Sequence, residues 1–156
     1  MNVKLLKFAK KYYEFVYKTS PVFATFLGIH KYDHLIGDMS KESIKRDIKK
    51  FNDFKKEILR FTQDDGVMVD PGERMKDKID YQLLKADIET NLLMLTKSKD
   101  WQKNPNIYVE TPLMGIFLLI SRDSLTYSQK IKSVTARLNL YSRTLEQGKD
   151  NVKNAP

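Results

Sequence analysis

At 156 residues the chain has room for one domain with a hydrophobic core and is short for two. Apolar residues at 41% and charged residues at 31% describe a folded protein, which excludes disorder over most of the length. The absence of cysteine excludes a disulfide framework, thiolate zinc sites and a thiol nucleophile, and it fits a reducing, cytoplasmic setting.

The net charge of +8 is unevenly spread. Residues 1–50 carry eleven basic and five acidic side chains, residues 51–100 nine and eleven, and residues 101–156 eight and four. Lysine outnumbers arginine 22 to 6, whereas arginine is the usual reader of bases and phosphates. A solvated lysine-rich surface is therefore favoured over a nucleic-acid surface. No stretch approaches the ~20 apolar residues of a membrane span, and Lys4, Lys7, Lys10 and Lys11 interrupt the apolar run that a signal peptide requires. No membrane partner is expected.

In chain order, a first helix is predicted over residues 3–18, capped by Asn2, with Leu5, Phe8, Ala9, Tyr12, Phe15 and Val16 on one face. Ser20 and Pro21 restart a short helix to residue 27, with Ser20 as cap and Pro21 at the first helical position. Gly28 supplies the left-handed residue that ends it. Residues 29–39 have no period and read as an ordered loop. Ser40 caps a third helix over residues 41–62, whose stripe is Ile44, Ile48, Phe51, Phe54, Ile58 and Phe61.

A turn is expected at residues 63–69, then a capping box at Asp70 opening a fourth helix to residue 96 or 99. There Met75, Ile79, Leu83, Ala86, Leu92 and Leu93 track one face, and Tyr81, Leu84, Ile88 and Leu95 widen it, which predicts a central helix. Asn104, Pro105 and Asn106 mark a loop over residues 101–109. A mostly apolar fifth helix spans residues 111–121. The last begins at 124 or 126 and runs to residue 147 or beyond, with Ile131, Val134, Leu138, Tyr141 and Leu145 as its inward seam. The fold class is all-α, a bundle of about six helices in one domain over residues 1–156.

No self-contained catalytic site emerges. His30 and His34 are the only histidines, and their spacing of four would suit a shared metal on a helix. They follow Gly28, however, and no glutamate follows His30, so hydrogen-bonded loop anchors are the better reading. Asp77, Asp80, Asp87 and Glu89 on the fourth helix alternate with lysines, the pattern of an ion-paired surface. The aromatics of residues 12–32 have core spacing rather than that of a base-stacking platform. Neither a catalytic residue nor a metal ligand is assigned within this chain.

Three stretches together carry a resemblance: SPVFATFLGIHKYD at residues 20–33, DYQLLK at 80–85 and NPNIY at 104–108. In order and spacing they resemble the amino-terminal region of the bacterial and archaeal family catalogued as domain of unknown function 885. The likeness extends through Gly115, Ile116 and Phe117 to residues 154–156. The resemblance implies a helical, zinc-dependent, peptidase-like protein several times longer, with its His-Glu-x-x-His motif in the later part. No position here matches that motif, so no zinc ligand carries over, and the chain reads as a truncated or stand-alone front portion.

What the resemblance implies for this chain is a non-catalytic role, walling a peptide-substrate cleft and stabilising the catalytic half. His30, Tyr32 and Asp33 are the candidate cleft or interface residues, with Asp80 and Tyr81 supporting them. A competing local reading has Asp33 capping a turn and Tyr32 packing on the fourth helix. The expected partner is the carboxy-terminal half, or a second copy through an uncovered apolar face at residues 113–120. The alternative function is a basic module binding nucleic acid or an acidic protein.

Overall fold

The first helix forms because its apolar residues recur at three-and-four spacing with lysines between them, so one face is dry and the other solvated. In the computed structural model, which describes residues 3–61, 71–123 and 125–153, this is α1 (Val3–Thr19). It is followed by α2 (Pro21–Phe26), a single 3-10 turn (His30–Tyr32), α3 (Lys41–Arg60) and α4 (Pro71–Leu93). A wider π turn (Met94–Ser98), α5 (Asp100–Lys103), α6 (Ile107–Ser121) and α7 (Tyr127–Asn151) complete the chain. Among the described residues there is no strand, and the fold is all-α as expected. The expectations at Asn2, residues 63–69, Asp70, Ser124 and residues 154–156 lie outside the described residues, as does the side chain of Met75.

The chain forms two compact units, residues 1–14 with 45–98, and residues 15–44 with 99–156. The first is built from α1, α3 and α4. Leu5, Phe8, Ala9 and Tyr12 of α1, Phe51, Phe54 and Ile58 of α3, and Leu84 and Ile88 of α4 are buried. Their rings interlock edge to face, Phe8 on Phe54 with centroids 5.8 Å apart and Tyr12 on Phe54 at 5.3 Å. This geometry sets the positive edge of one ring against the negative face of the next. The predicted stripes of α1 and α3 are thus mostly the faces they bury, with Phe15, Ile48 and Phe61 half-buried.

Helix α4 departs from expectation. Ile79, Leu83 and Leu93, placed on the inward face by their hydropathy, are exposed, and Leu84 and Ile88 take the core. Polar partners explain the rotation. The fully buried Tyr12 donates its hydroxyl proton to Asp87 Oδ2 at 2.8 Å, and Asn91 Nδ2 donates to the same hydroxyl at 3.3 Å. Turning Asp87 to solvent would strand a buried phenol. Burial first, then the hydrogen bond to and charge of Asp87, hold the Tyr12 phenol well above its usual value. The unfolded chain therefore ionises first as pH rises above about 10, and stability falls there. Tyr12→Phe should cost about 1–2 kcal/mol at neutral pH in urea denaturation, with a smaller further decline in alkali than the parent shows.

The second unit is organised by α7, with α6 along it, α2 against α6 and α5 near its carboxy-terminal end. Pro21 starts α2 as expected, but Ser20 makes no side-chain cap bond. Gly28 ends that helix at φ +84°, and the Ile29 amide reaches back to Ala24 O at 2.8 Å. Ser40 caps α3 through Ser43 N at 3.2 Å, and Thr126 with Gln129 forms a full capping box on α7.

Residues 101–109 differ from the predicted loop: α5 occupies their start, and α6 begins four residues before the expected 111. Pro112 therefore lies inside α6. The earlier start is held by Tyr108, 2% exposed, whose hydroxyl donates to Trp101 O at 2.5 Å and accepts from Asn151 Nδ2 at 2.9 Å.

Candidate functional site

The stretch singled out in the sequence, residues 20–33, is built around a buried carboxylate. The 3-10 turn brings His30 and Asp33 together, so that His30 Nδ1 lies 2.8 Å from Asp33 Oδ2. On its other oxygen Asp33 accepts a proton from Thr25 Oγ1 at 2.7 Å. Thr25 in turn accepts from Arg137 Nη2 at 2.5 Å. Asp33 is 4% exposed, and Thr25 and Arg137 are fully buried.

Arg137 is the member that sequence reasoning missed. Its Nε donates to Leu35 O at 3.0 Å and its Nη1 to Gly115 O at 2.5 Å, so the guanidinium ties α7 to α2, to α6 and to the loop after the 3-10 turn. Burial lowers its pKa to about 10, and the charge of Asp33 works against that shift. It stays a cation at neutral pH. Gly115 makes the approach achievable, because a Cβ there would stand 2.8 Å from Arg137 Nη1 and 2.9 Å from Val22 Cγ2. Glycine within an apolar helix was the one signal in the sequence that something large sits against α6.

Of the five candidate residues, His30, Tyr32 and Asp33 are brought together on the 3-10 turn. Tyr32 is buried, and its ring carries Lys31 Nζ at 5.2 Å from the centroid. Asp80 and Tyr81 are half-buried on α4, in the other unit. The helix ends before His30, so the histidine pair does not share a helical face, and His34 is exposed. Among the described residues no three His, Asp or Glu side chains are grouped to hold a metal ion.

The second feature of this unit is apolar. Helix α6 buries Tyr108, Pro112, Gly115 and Leu119, which leaves Leu113, Met114, Phe117 and Ile120 between 51% and 61% exposed. Phe23 and Phe26 of α2 are also exposed, with their rings stacked at 6.4 Å. Helix α7 reverses the predicted seam: it buries Arg137, Thr144, Gly148 and Asn151, while Ile131 and Leu138 are exposed and Val134, Tyr141 and Leu145 half-buried. The polar side chains win the interior because each has a partner there, as Asn151 does in donating to Met39 O at 2.6 Å and to Tyr108.

No curated protein and no solved structure matches this chain. A family model does match, over residues 21–156, under the description "Bacterial protein of unknown function (DUF885)". That stretch contains the Thr25–Asp33–Arg137 cluster and the exposed faces of α2, α6 and α7, and the chain belongs to the DUF885 family.

Proposed function

We propose that this chain is a non-catalytic helical scaffold whose second unit docks, through the outer faces of α6, α2 and α7, onto a polypeptide carrying the catalytic groups of a zinc peptidase-like protein. The observation that carries this is the row Leu113, Met114, Phe117 and Ile120, each more than half exposed along one helix. Contiguous apolar surface of this kind marks a protein-binding face. In this reading the Asp33–Thr25–Arg137 network is the brace that holds α2 and α6 in place behind the face. The turn at His30 and Asp33 forms part of the wall of a peptide cleft completed by the partner.

The test mixes the purified chain with a separately expressed later region of a family member bearing His-Glu-x-x-His, and follows complex formation and peptide hydrolysis. Complex formation is expected, and the pair Phe117→Asp with Ile120→Asp should weaken it by about tenfold or more. Because both side chains are already largely in water, the variant's melting temperature should stay close to the parent's. Sustained peptide hydrolysis by the chain alone, or an affinity unchanged by the double substitution, overturns the proposal.

A further inference from the structure

The first unit sorts its charges by sign. On α1 up to Glu14 and on α3 from Lys45, nine lysines and arginines are exposed against two carboxylates, Glu14 and Asp53. The acids of α4 sit deeper: Asp77, Asp80, Asp87 and Glu89 are all half-buried. Carboxylates of the unit are engaged within it, among them Asp87 by Tyr12, Glu57 by Lys11 at 2.8 Å and Glu89 by Lys55 at 3.2 Å. Among the described residues, α1 and α3 of this unit therefore show solvent a mostly basic face. Helices α1 and α3 adjoin along that face, as the Lys11–Glu57 pair and the Phe8–Phe54 contact show.

We infer that this face adsorbs to an anionic lipid surface, which revises the expectation of no membrane partner. Two observations favour lipid over nucleic acid. All but two of the nine exposed cations are lysines, compact point charges suited to a diffuse layer of headgroups rather than to bidentate reading of bases. Interleaved with them are exposed aliphatic residues, Val3, Leu6 and Leu59, while no aromatic of the unit is exposed among the described residues. Aliphatic side chains flanked by lysine stems suit the headgroup boundary, whereas single-stranded nucleic acid binds through stacked rings. Because the buried face of α1 is occupied by the unit's own core, the binding is electrostatic adsorption without insertion of the helix. No helix among the described residues is long and apolar enough to cross a membrane, and adsorption needs none.

The test sediments the full chain with phosphatidylcholine vesicles, with and without phosphatidylglycerol. Binding is expected only with the anionic lipid, and should fall steeply as salt is raised. Each basic residue near such a surface is worth roughly fivefold in binding, so Lys4→Glu, Lys7→Glu and Lys10→Glu together should weaken it by about a hundredfold. The matched reversal of exposed lysines in the other unit, Lys103→Glu, Lys132→Glu and Lys153→Glu, should cost far less. Circular dichroism confirms that each variant is folded. Equal binding to neutral vesicles, equal loss in both triple variants, or tighter binding to an oligonucleotide than to anionic vesicles overturns the inference.

Discussion

Replacing Arg137 with methionine is expected to destabilise the second unit by about 3–5 kcal/mol, the cost of breaking a buried charge arrangement from one side. Methionine fills much of the volume but supplies no donor. Leu35 O, Gly115 O and Thr25 Oγ1 each lose a hydrogen bond, and Asp33 is left as a buried carboxylate without its nearby cation. Asp33→Asn alone should cost less, since the amide oxygen can still accept from Thr25 and the amide NH2 can donate to the His30 ring nitrogen. In the Arg137→Met background the Asn substitution should restore part of the loss, giving a coupling energy above about 1 kcal/mol. Urea denaturation followed by the fluorescence of Trp101, the sole tryptophan and a residue of this unit, measures all four species.

Gly148→Ala should destabilise the same unit, although alanine is the better helix former by about 1 kcal/mol. A Cβ at Gly148 would lie 2.7 Å from Tyr108 Cγ and 3.0 Å from its Cβ. Those are the root of the ring and cannot swing aside while the hydroxyl stays bonded to Trp101 O and Asn151. We expect a net loss of about 1–3 kcal/mol. Tyr108→Ala alone should cost about 3–5 kcal/mol through the cavity it opens. Combined, the two should be less harmful than their sum, because the new methyl group occupies space that the ring vacated. Strict additivity in thermal or urea melts would remove the close contact from the account.

Much of the backbone plan was legible because hydropathy and local chemistry agree in it. Leu5, Phe8 and Tyr12, and likewise Phe51, Phe54 and Ile58, sit at helical spacing with charged residues between, and these faces are buried. The Pro21 start, the Gly28 stop and the Ser40 cap act on neighbours within a few residues, so spacing alone reveals them. Helices α4 and α7 were misoriented because their inward faces are chosen by distant polar partners. Arg137 binds Leu35 O across 102 positions, Asn151 binds Met39 O across 112, and Tyr12 meets Asp87 across 75. Hydropathy assigns Arg137, Asn151 and Asp87 to water and the apolar row of Ile131 and Leu138 to the interior.

The same inversion bears on the site. The residues around His30 and Asp33 stood out through the family resemblance, and the turn that joins them is local. Their link through Thr25 to Arg137 is not local, and no spacing rule would have supplied it. Reversal of the α7 seam also adds Ile131 and Leu138 to the uncovered apolar surface, beyond the α6 row that the sequence had already marked.

The central claim is that α6 carries a face made to be covered. Sedimentation equilibrium of the chain alone, run from low micromolar to several hundred micromolar with an apolar fluorescent dye as a second readout, tests it most directly. The account predicts dye binding and reversible association, both sharply reduced by Phe117→Asp with Ile120→Asp in a protein that melts as the parent does. A parent chain that stays monomeric over the whole range and leaves the dye dark would contradict it.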